Sequence, residues 1–549
     1  MATTETRAAE SQVRQSAGPR PGADDQHLPN KRIWLGRLLG PALALVVYFL
    51  IPADPGLSTP ARTSLAVAIL VAVWWMTEAL PLAATSLVPL VALPLLGIFP
   101  IGDATAAYGH PIVFLFLGGF VIALAMQKWD LHKRIALLTM RAIGTKPRQL
   151  LLGVMTATWF LSMWVSNTAT TMMMLPIGVS VLAMVAAARR AHVSAEGGEA
   201  DAGSEADPEM DPEDDPVAAL AADKDTQNFS VSMMLGIAFA ATIGGLATLI
   251  GSPPNLIMTG IMEETYNIHI SFADWMKLGV PLSVVFLLIT WLFLTRFAYP
   301  TRIGNVMGGK QVIQEKLDEL GPMSRGEWTV LTVFVSTALL WVFQDQLSEW
   351  DALTSVLPFM AHLNDTTIAL AAALALFLIP VSIKKGVSAM DWRTAQNGIP
   401  WGVLLLFGGG LCLAKSVQDT GLSTWIGGKM DGLGTLPIVL LVATVSLIIL
   451  MLTELTSNTA TATTFLPVLA AVAVGIGVDP MLLMVPAAMA ATCSFMLPVG
   501  TPPNAIVFGS GYVTMPQMIR AGLWLNLIGV VLITGMTMLL GGWALGISF

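Results

Sequence analysis

Apolar stretches recur along the chain between short polar segments, and most are long enough to cross a hydrocarbon core of roughly 30 Å as helices. The pattern predicts crossings near residues 33–52, 61–79, 82–99, 110–127, 230–264, 277–298, 327–343, 366–383, 399–416, 481–510 and 518–546, eleven in all. Two of these are broken in mid-membrane, at IGSPPNLI (250–257) and VGTPPNAIV (499–507). Proline lacks an N–H and disrupts a helix interior, so a Pro-Pro pair inside a span marks a break. Two further apolar stretches, 150–187 and 437–475, are too long for one crossing and carry polar centres, SNTATTMMMLPI (166–177) and SNTATATTFLPV (457–468). They predict re-entrant hairpins that enter and leave on one side. Non-helical backbone persists at membrane depth only where protein or a wet cavity satisfies its polar groups.

The two SNTAT copies are 291 positions apart, and at that offset GGFVIALAMQ (118–127) falls on GGLCLAKSVQ (409–418). The PPN elements lose the register by 42 residues, about the size of a polar segment between Arg189 and Asn228. The chain therefore divides into a polar, disordered cytoplasmic tail (1–32), a first span (33–60), repeat 1 (61–300), a cytoplasmic linker (301–326) and repeat 2 (327–546). Repeat 1 holds the hairpin 150–187, the insertion 190–228 and the broken helix 230–264; repeat 2 holds the hairpin 437–475 and the broken helix 481–510.

Composition agrees with a bilayer protein. Only 12% of the 549 residues are charged and mean hydropathy is +0.71, where soluble domains carry roughly 25% charged residues. The formal charge of −8 misleads, because residues 196–225 hold 12 of the 36 acidic residues. With the N-terminus in the cytoplasm, 24 Lys and Arg fall inside and only Arg62, Lys277 and Lys429 outside, with Lys415 near the end of a span. That is the positive-inside pattern, and it fails if either hairpin is a full crossing. It puts the protein in the cell membrane with its C-terminus outside, and opposes the two repeats in orientation. Inverted repeats with broken helices are the mark of secondary transporters. No GxxxxGK[ST] loop or HExxH pattern occurs, so neither ATP-driven transport nor an intramembrane metalloprotease is indicated. The two cysteines, Cys412 and Cys493, offer no disulfide framework or metal site.

The polar centres lack Lys and Arg but are dense in Ser, Thr and Asn. Hydroxyls and carboxamides can donate to an anion and offer oxygens to a cation. Helices broken at SNT and PPN present N–H groups that favour negative charge. One such trio would serve equally well as hydrogen-bonding glue between spans, but two copies, each paired with a PPN break in an inverted repeat, point to a site. Glu454, three residues before the second SNT, is either an ion-coupling group or a structural hydrogen-bond partner.

The two SNT motifs, the two PPN elements, the GG spans and CSFMLPVGTPPNAIVF (493–508) resemble the divalent anion/sodium symporters, the INDY-type carriers of di- and tricarboxylates, over about residues 33–546. The resemblance implies an all-α polytopic homodimer whose scaffold and transport domains move as an elevator, with Na⁺ as coupling ion. It implies one Na⁺ at Ser162, Ser166, Asn167 and Gly251, and another at Thr453, Thr456, Asn458 and Gly500. Substrate would face Ser166, Asn167, Thr168, Ser252, Ser457, Asn458, Thr459, Thr501 and Pro502. The expected activity is Na⁺-coupled uptake of C4-dicarboxylates such as succinate, with a sodium-independent exchanger or a sulfate or citrate symporter of the same fold as alternatives. The expected partners are the anion, Na⁺, lipid and a second copy of the chain, with no catalytic set and no nucleic acid.

Overall fold

The computed structural model describes residues 30–51, 57–144, 146–195, 224–300, 309–429 and 436–549. Most of the predicted tail, most of the acidic insertion and the start of the linker lie outside the described residues.

The architecture is helical. The first helices are α1 (Asn30–Leu50), α2 (Thr59–Thr77), α3 (Leu82–Thr85), α4 (Leu87–Leu95), α5 (Ile101–Tyr108), α6 (Pro111–Lys128) and α7 (Leu131–Ile143). Next come the arms of the first hairpin, α8 (Pro147–Ser162) and α9 (Asn167–Ala195), the two parts of the first broken helix, α10 (Lys224–Gly244) and α11 (Pro253–Tyr266), and α12 (Phe272–Phe293). A third group comes after them: α13 (Gly309–Glu319), α14 (Arg325–Ser348), α15 (Asp351–Val356), α16 (Asp365–Leu378) and α17 (Trp392–Gly398). The second set comprises α18 (Trp401–Asp419), α19 (Leu422–Lys429), α20 (Ile438–Thr453), α21 (Asn458–Gly475), α22 (Pro480–Thr492), α23 (Pro502–Gly509) and α24 (Met515–Leu545). One short antiparallel ribbon, Pro380–Ser382 with Val387–Ser388, interrupts the helices.

Packing is duplicated between the two sets. In the first, α8 and α9 lie on α10; in the second, α20 and α21 lie on α22. The broken helices then exchange partners: α11 packs against α21 and α22, while α23 packs against α9 and α10. Helices α12 and α24 pack on each other and on the broken helix of their own set. The glycine pairs allow the GG spans to be approached closely. A Cβ on Gly118 would sit 2.7 Å from the Ala369 backbone of α16, and one on Gly409 would sit 2.8 Å from the Ser86 carbonyl oxygen.

The elements differ from the expectation in three respects. The stretch 82–99 is two short helices, because Ser86 ends α3 and prolines 89 and 94 punctuate α4. The linker carries α13, a helix packed on α7. Ten helical stretches among the described residues are long and apolar enough to cross a membrane, and they include Asn167–Val185 and Asn458–Gly475 of the hairpins. Length therefore does not separate an arm of a hairpin from a crossing; charge placement and packing have to.

Candidate functional site

The first SNT tip is built by capping. Helix α8 ends at Ser162, and Ser166 accepts a hydrogen bond from the Ala169 N–H at 3.3 Å to start α9. Serine is favoured at an N-cap because its oxygen satisfies an otherwise unpaired N–H. The Ser162 hydroxyl closes the tip by donating to Asn167 Oδ1 at 2.7 Å. The second tip repeats this chemistry: Ser457 accepts from Ala460 N–H at 3.1 Å, and Thr453 Oγ1 donates to Asn458 Oδ1 at 2.8 Å. Both bonds occur at the 291-residue offset seen in the sequence.

The PPN breaks are duplicated too. Ser252 (φ −147°, ψ 139°) and Thr501 (φ −151°, ψ 141°) precede α11 and α23 in the same extended conformation. A proline then takes the first helical position, where a missing N–H costs nothing. Asn255 Nδ2 donates to the Gly245 and Thr248 carbonyls, both at 2.9 Å; Asn504 Nδ2 donates to those of Ser494 and Leu497 at 3.2 and 3.1 Å. Each PPN asparagine thus satisfies carbonyls left unpaired where its helix breaks.

These four pieces meet. The Asn167 carboxamide and the Gly251 carbonyl both lie against Gly245, within 3.0 and 3.1 Å of where its Cβ would stand. Ser252, next to Gly251, accepts a hydrogen bond from Thr492 Oγ1 at 3.1 Å. Thr492 in turn receives Asn458 Nδ2 on its carbonyl at 3.0 Å. A polar line therefore runs Asn167–Gly245–Gly251–Ser252–Thr492–Asn458 from one tip to the other. Thr453, which also donates to the Ala491 carbonyl at 2.9 Å, fixes the second tip to the end of α22.

The expected residues divide by environment. Ser162, Gly251, Ser252, Thr453, Gly500 and Thr501 are buried; Asn167, Thr168, Thr456, Ser457, Asn458 and Thr459 are half-buried; Ser166 and Pro502 are exposed. Bonds on the line or to the tips join Ser162, Asn167, Ser252, Thr453 and Asn458, whereas no such bond links Thr168, Thr459, Thr501 or Pro502. The Thr456 hydroxyl donates to the Leu452 carbonyl at 2.9 Å and meets Thr461 Oγ1 at 2.6 Å.

Glu454 has a structural task. It is 3% exposed, and its carboxylate accepts from the N–H groups of Phe495, Met496 and Leu497, from Ser494 Oγ and from Asn526 Nδ2, at 2.7–3.1 Å. It fills the nest of N–H groups opened where α22 ends. At the matching position of the first tip stands Met163, whose carbonyl accepts from Thr248 instead. Gly500 packs on the Glu454 backbone, 3.1 Å from its carbonyl oxygen to a would-be Cβ. No described Lys, Arg or His pairs with this carboxylate, so the second tip sits beside a net negative charge.

The motif spacing did not mark Thr492, Gly245, Thr248 or Asn526. The only trace of Thr492 was its place shortly before the second break.

Duplicated hairpins and interlocked broken helices, with neutral oxygens and amides at the centre, define a polytopic membrane transport protein. A family model described as the sodium:sulfate symporter transmembrane region matches residues 31–547, and the chain belongs to that family. Membership places it among transport proteins rather than enzymes. The sodium-dependent dicarboxylate transporter SdcS of Staphylococcus aureus strain USA300 is 43% identical over 502 residues, covering 91% of this chain and 89% of its own. The protein of the same name from Staphylococcus saprophyticus is 42% identical over 504 residues with the same coverage. Among solved structures, Neisseria gonorrhoeae MtrF aligns with a TM-score of 0.53 at 11% identity, covering 90% of this chain and 96% of that one. The Alcanivorax borkumensis YdaH transporter aligns with a TM-score of 0.51 at 14% identity, covering 87% and 99%. At those identities the likeness is one of fold.

Proposed function

We propose that the protein carries C4-dicarboxylates such as succinate into the cell together with Na⁺. The observation that carries this reading is the polar line between the two SNT tips, which offers paired hydroxyls and carboxamides and no fixed positive charge. An anion with a carboxylate at each end suits two such tips. A dianion desolvated there is heavily penalised unless its charge is matched, and helix N-termini supply only about half a charge each. Glu454 adds a further negative charge beside the second tip. Cations are the remaining source of compensation, and each tip offers oxygens suited to Na⁺. One ion would be held by Ser162, Ser166, Asn167 and the Gly251 backbone, the other by Thr453, Asn458 and the backbones of Thr456 and Gly500. The similarity to a sodium-dependent dicarboxylate transporter supports the same reading.

On this reading the hairpins are re-entrant, the repeats are inverted, the N-terminus is cytoplasmic and the C-terminus outside. The tips move with the substrate relative to a scaffold within a homodimer.

Uptake of labelled succinate into proteoliposomes, with choline replacing Na⁺ and with or without internal succinate, is the deciding measurement. Uptake is expected to require Na⁺, and Asn167→Ala and Asn458→Ala to abolish it. Undiminished succinate exchange in choline would overturn the coupling. Competition by sulfate with none by succinate would overturn the substrate.

A further inference from the structure

Apart from the tips, a cavity of about 180 Å³ lies between the end of α11, the start of α16 and the loop before α12. At roughly 30 Å³ per water in the liquid, it has room for an ion with several waters. Its mouth is formed by Glu263 and His269, whose side chains are 36% and 56% exposed and whose Oε1 and Nδ1 lie 3.7 Å apart. Its floor reaches Leu249 and Asp365, which are 1% and 5% exposed.

Asp365 is the unusual residue. One carboxylate oxygen accepts from the Phe272 N–H at 2.9 Å. The other, Oδ1, is buried and has no hydrogen-bond partner. A buried polar oxygen left unpaired is costly, and no described Lys or Arg forms an ion pair with Asp365 or Glu263. The nearby cations are already engaged: Lys277 with Asp274 at 2.6 Å, and Lys415 with Glu264 at 3.3 Å, where His110 also lies 3.8 Å from the other oxygen. Asp345 adds to the negative potential. Among the described residues His269 is the one basic group at the mouth; the Glu263 carboxylate beside it raises its pKa, and burial opposes this. That pair leaves the buried Asp365 Oδ1 without a hydrogen-bond donor.

We propose that this cavity binds Na⁺ at a site distinct from the two SNT tips, with Asp365 Oδ1 as the principal ligand and the Glu263 carboxylate and the hydroxyl oxygens of Thr259 and Thr366 around it. Both hydroxyls line the cavity and donate elsewhere, Thr259 to the Leu256 carbonyl and Thr366 to that of Pro111, so their lone pairs are free for a cation. Oxygen donors suit a hard ion. The site also touches the transport machinery. Leu249 belongs to the turn Leu249–Gly251 of the first break. The Asp365 carbonyl accepts from Trp341 Nε1 at 3.0 Å, and Trp341 stacks with Phe272 and with Trp164 of the first tip. An ion here would bias the turn that carries Gly251.

The test is equilibrium binding of ²²Na⁺ to the purified full-length protein in detergent, without substrate, in the Asn167→Ala/Asn458→Ala background. Saturable binding is expected to persist, to weaken about tenfold or more in Asp365→Asn, as loss of a charged contact implies, and to weaken less in Glu263→Gln. Absence of saturable binding in the background, or binding unchanged by Asp365→Asn, would overturn the site. If the background or Asp365→Asn fails to fold by size-exclusion chromatography, the parent chain and Glu263→Gln carry the test: the parent isotherm should lose affinity in one component only, and an unchanged isotherm rejects the proposal. Neither outcome depends on whether dicarboxylate is the substrate.

Discussion

At the scale of residues, Glu454 shows how a charge can be held in a membrane interior without a counter-charge. Its five donors come from one short stretch of backbone and two neighbouring side chains, and each hydrogen bond to a charged group is worth about 1.5–3 kcal/mol. Glu454→Gln keeps the shape but turns acceptor capacity into an NH₂ group facing N–H donors. The expected result is a lower thermal midpoint of the detergent-solubilised protein, with the Na⁺ requirement of uptake retained. Loss of the Na⁺ requirement at unchanged midpoint would make the residue a coupling group instead. Thr168 and Thr459 lie half-buried beside the tip asparagines. Thr168→Val and Thr459→Val remove one donor each, and the same energy predicts succinate binding weaker by roughly ten- to a hundredfold. Competition of unlabelled succinate against labelled uptake measures this, and an unchanged half-inhibition would remove the threonines from the site.

At the scale of elements, each broken helix is a local solution to a local problem. The Pro-Pro pair stops one helix and starts another, and the adjoining asparagine satisfies the carbonyls in between. The acidic insertion has no counterpart in the second repeat. Helix α9 ends at Ala195 and α10 begins at Lys224, and the PPN registers of the two repeats coincide only when the intervening segment is removed. Deleting residues 196–223 and joining the ends with a short Gly-Ser linker should leave Na⁺-dependent uptake within a few-fold of the parent. A larger loss, with normal amounts of protein in the membrane, would show that the insertion takes part in transport.

At the scale of the whole molecule, the line through Thr492 places the two tips in one polar network, so ligands bound at the tips as proposed would act on shared groups. Thermodynamic linkage then requires reciprocity: Na⁺ raises the affinity for succinate by the same factor by which succinate raises the affinity for Na⁺. Calorimetric titration of succinate at several Na⁺ concentrations, and of Na⁺ with and without succinate, should return one coupling factor. Two unequal factors would mean that the measured binding includes a site outside the cycle.

The sequence by itself determined which residues repeat, where helices break and that the segments carrying the polar centres hold no Lys or Arg. Those are properties of local chemistry: caps, proline breaks and hydropathy act over a few residues. Ser162 with Asn167 and Thr453 with Asn458, each pair spanning a single turn, were brought together by the family resemblance rather than by spacing. The sequence did not disclose that Thr492 joins the tips, that Glu454 closes a nest where Met163 has no counterpart role, or that Asp365 faces a cavity beside a histidine nearly a hundred positions earlier. Each depends on which helices pack together, and that was decided only when α11 crossed to α21 and α23 to α9. Partners far apart in sequence leave no periodicity to read, because burial and complementary hydrogen bonding bring them together only in the folded chain.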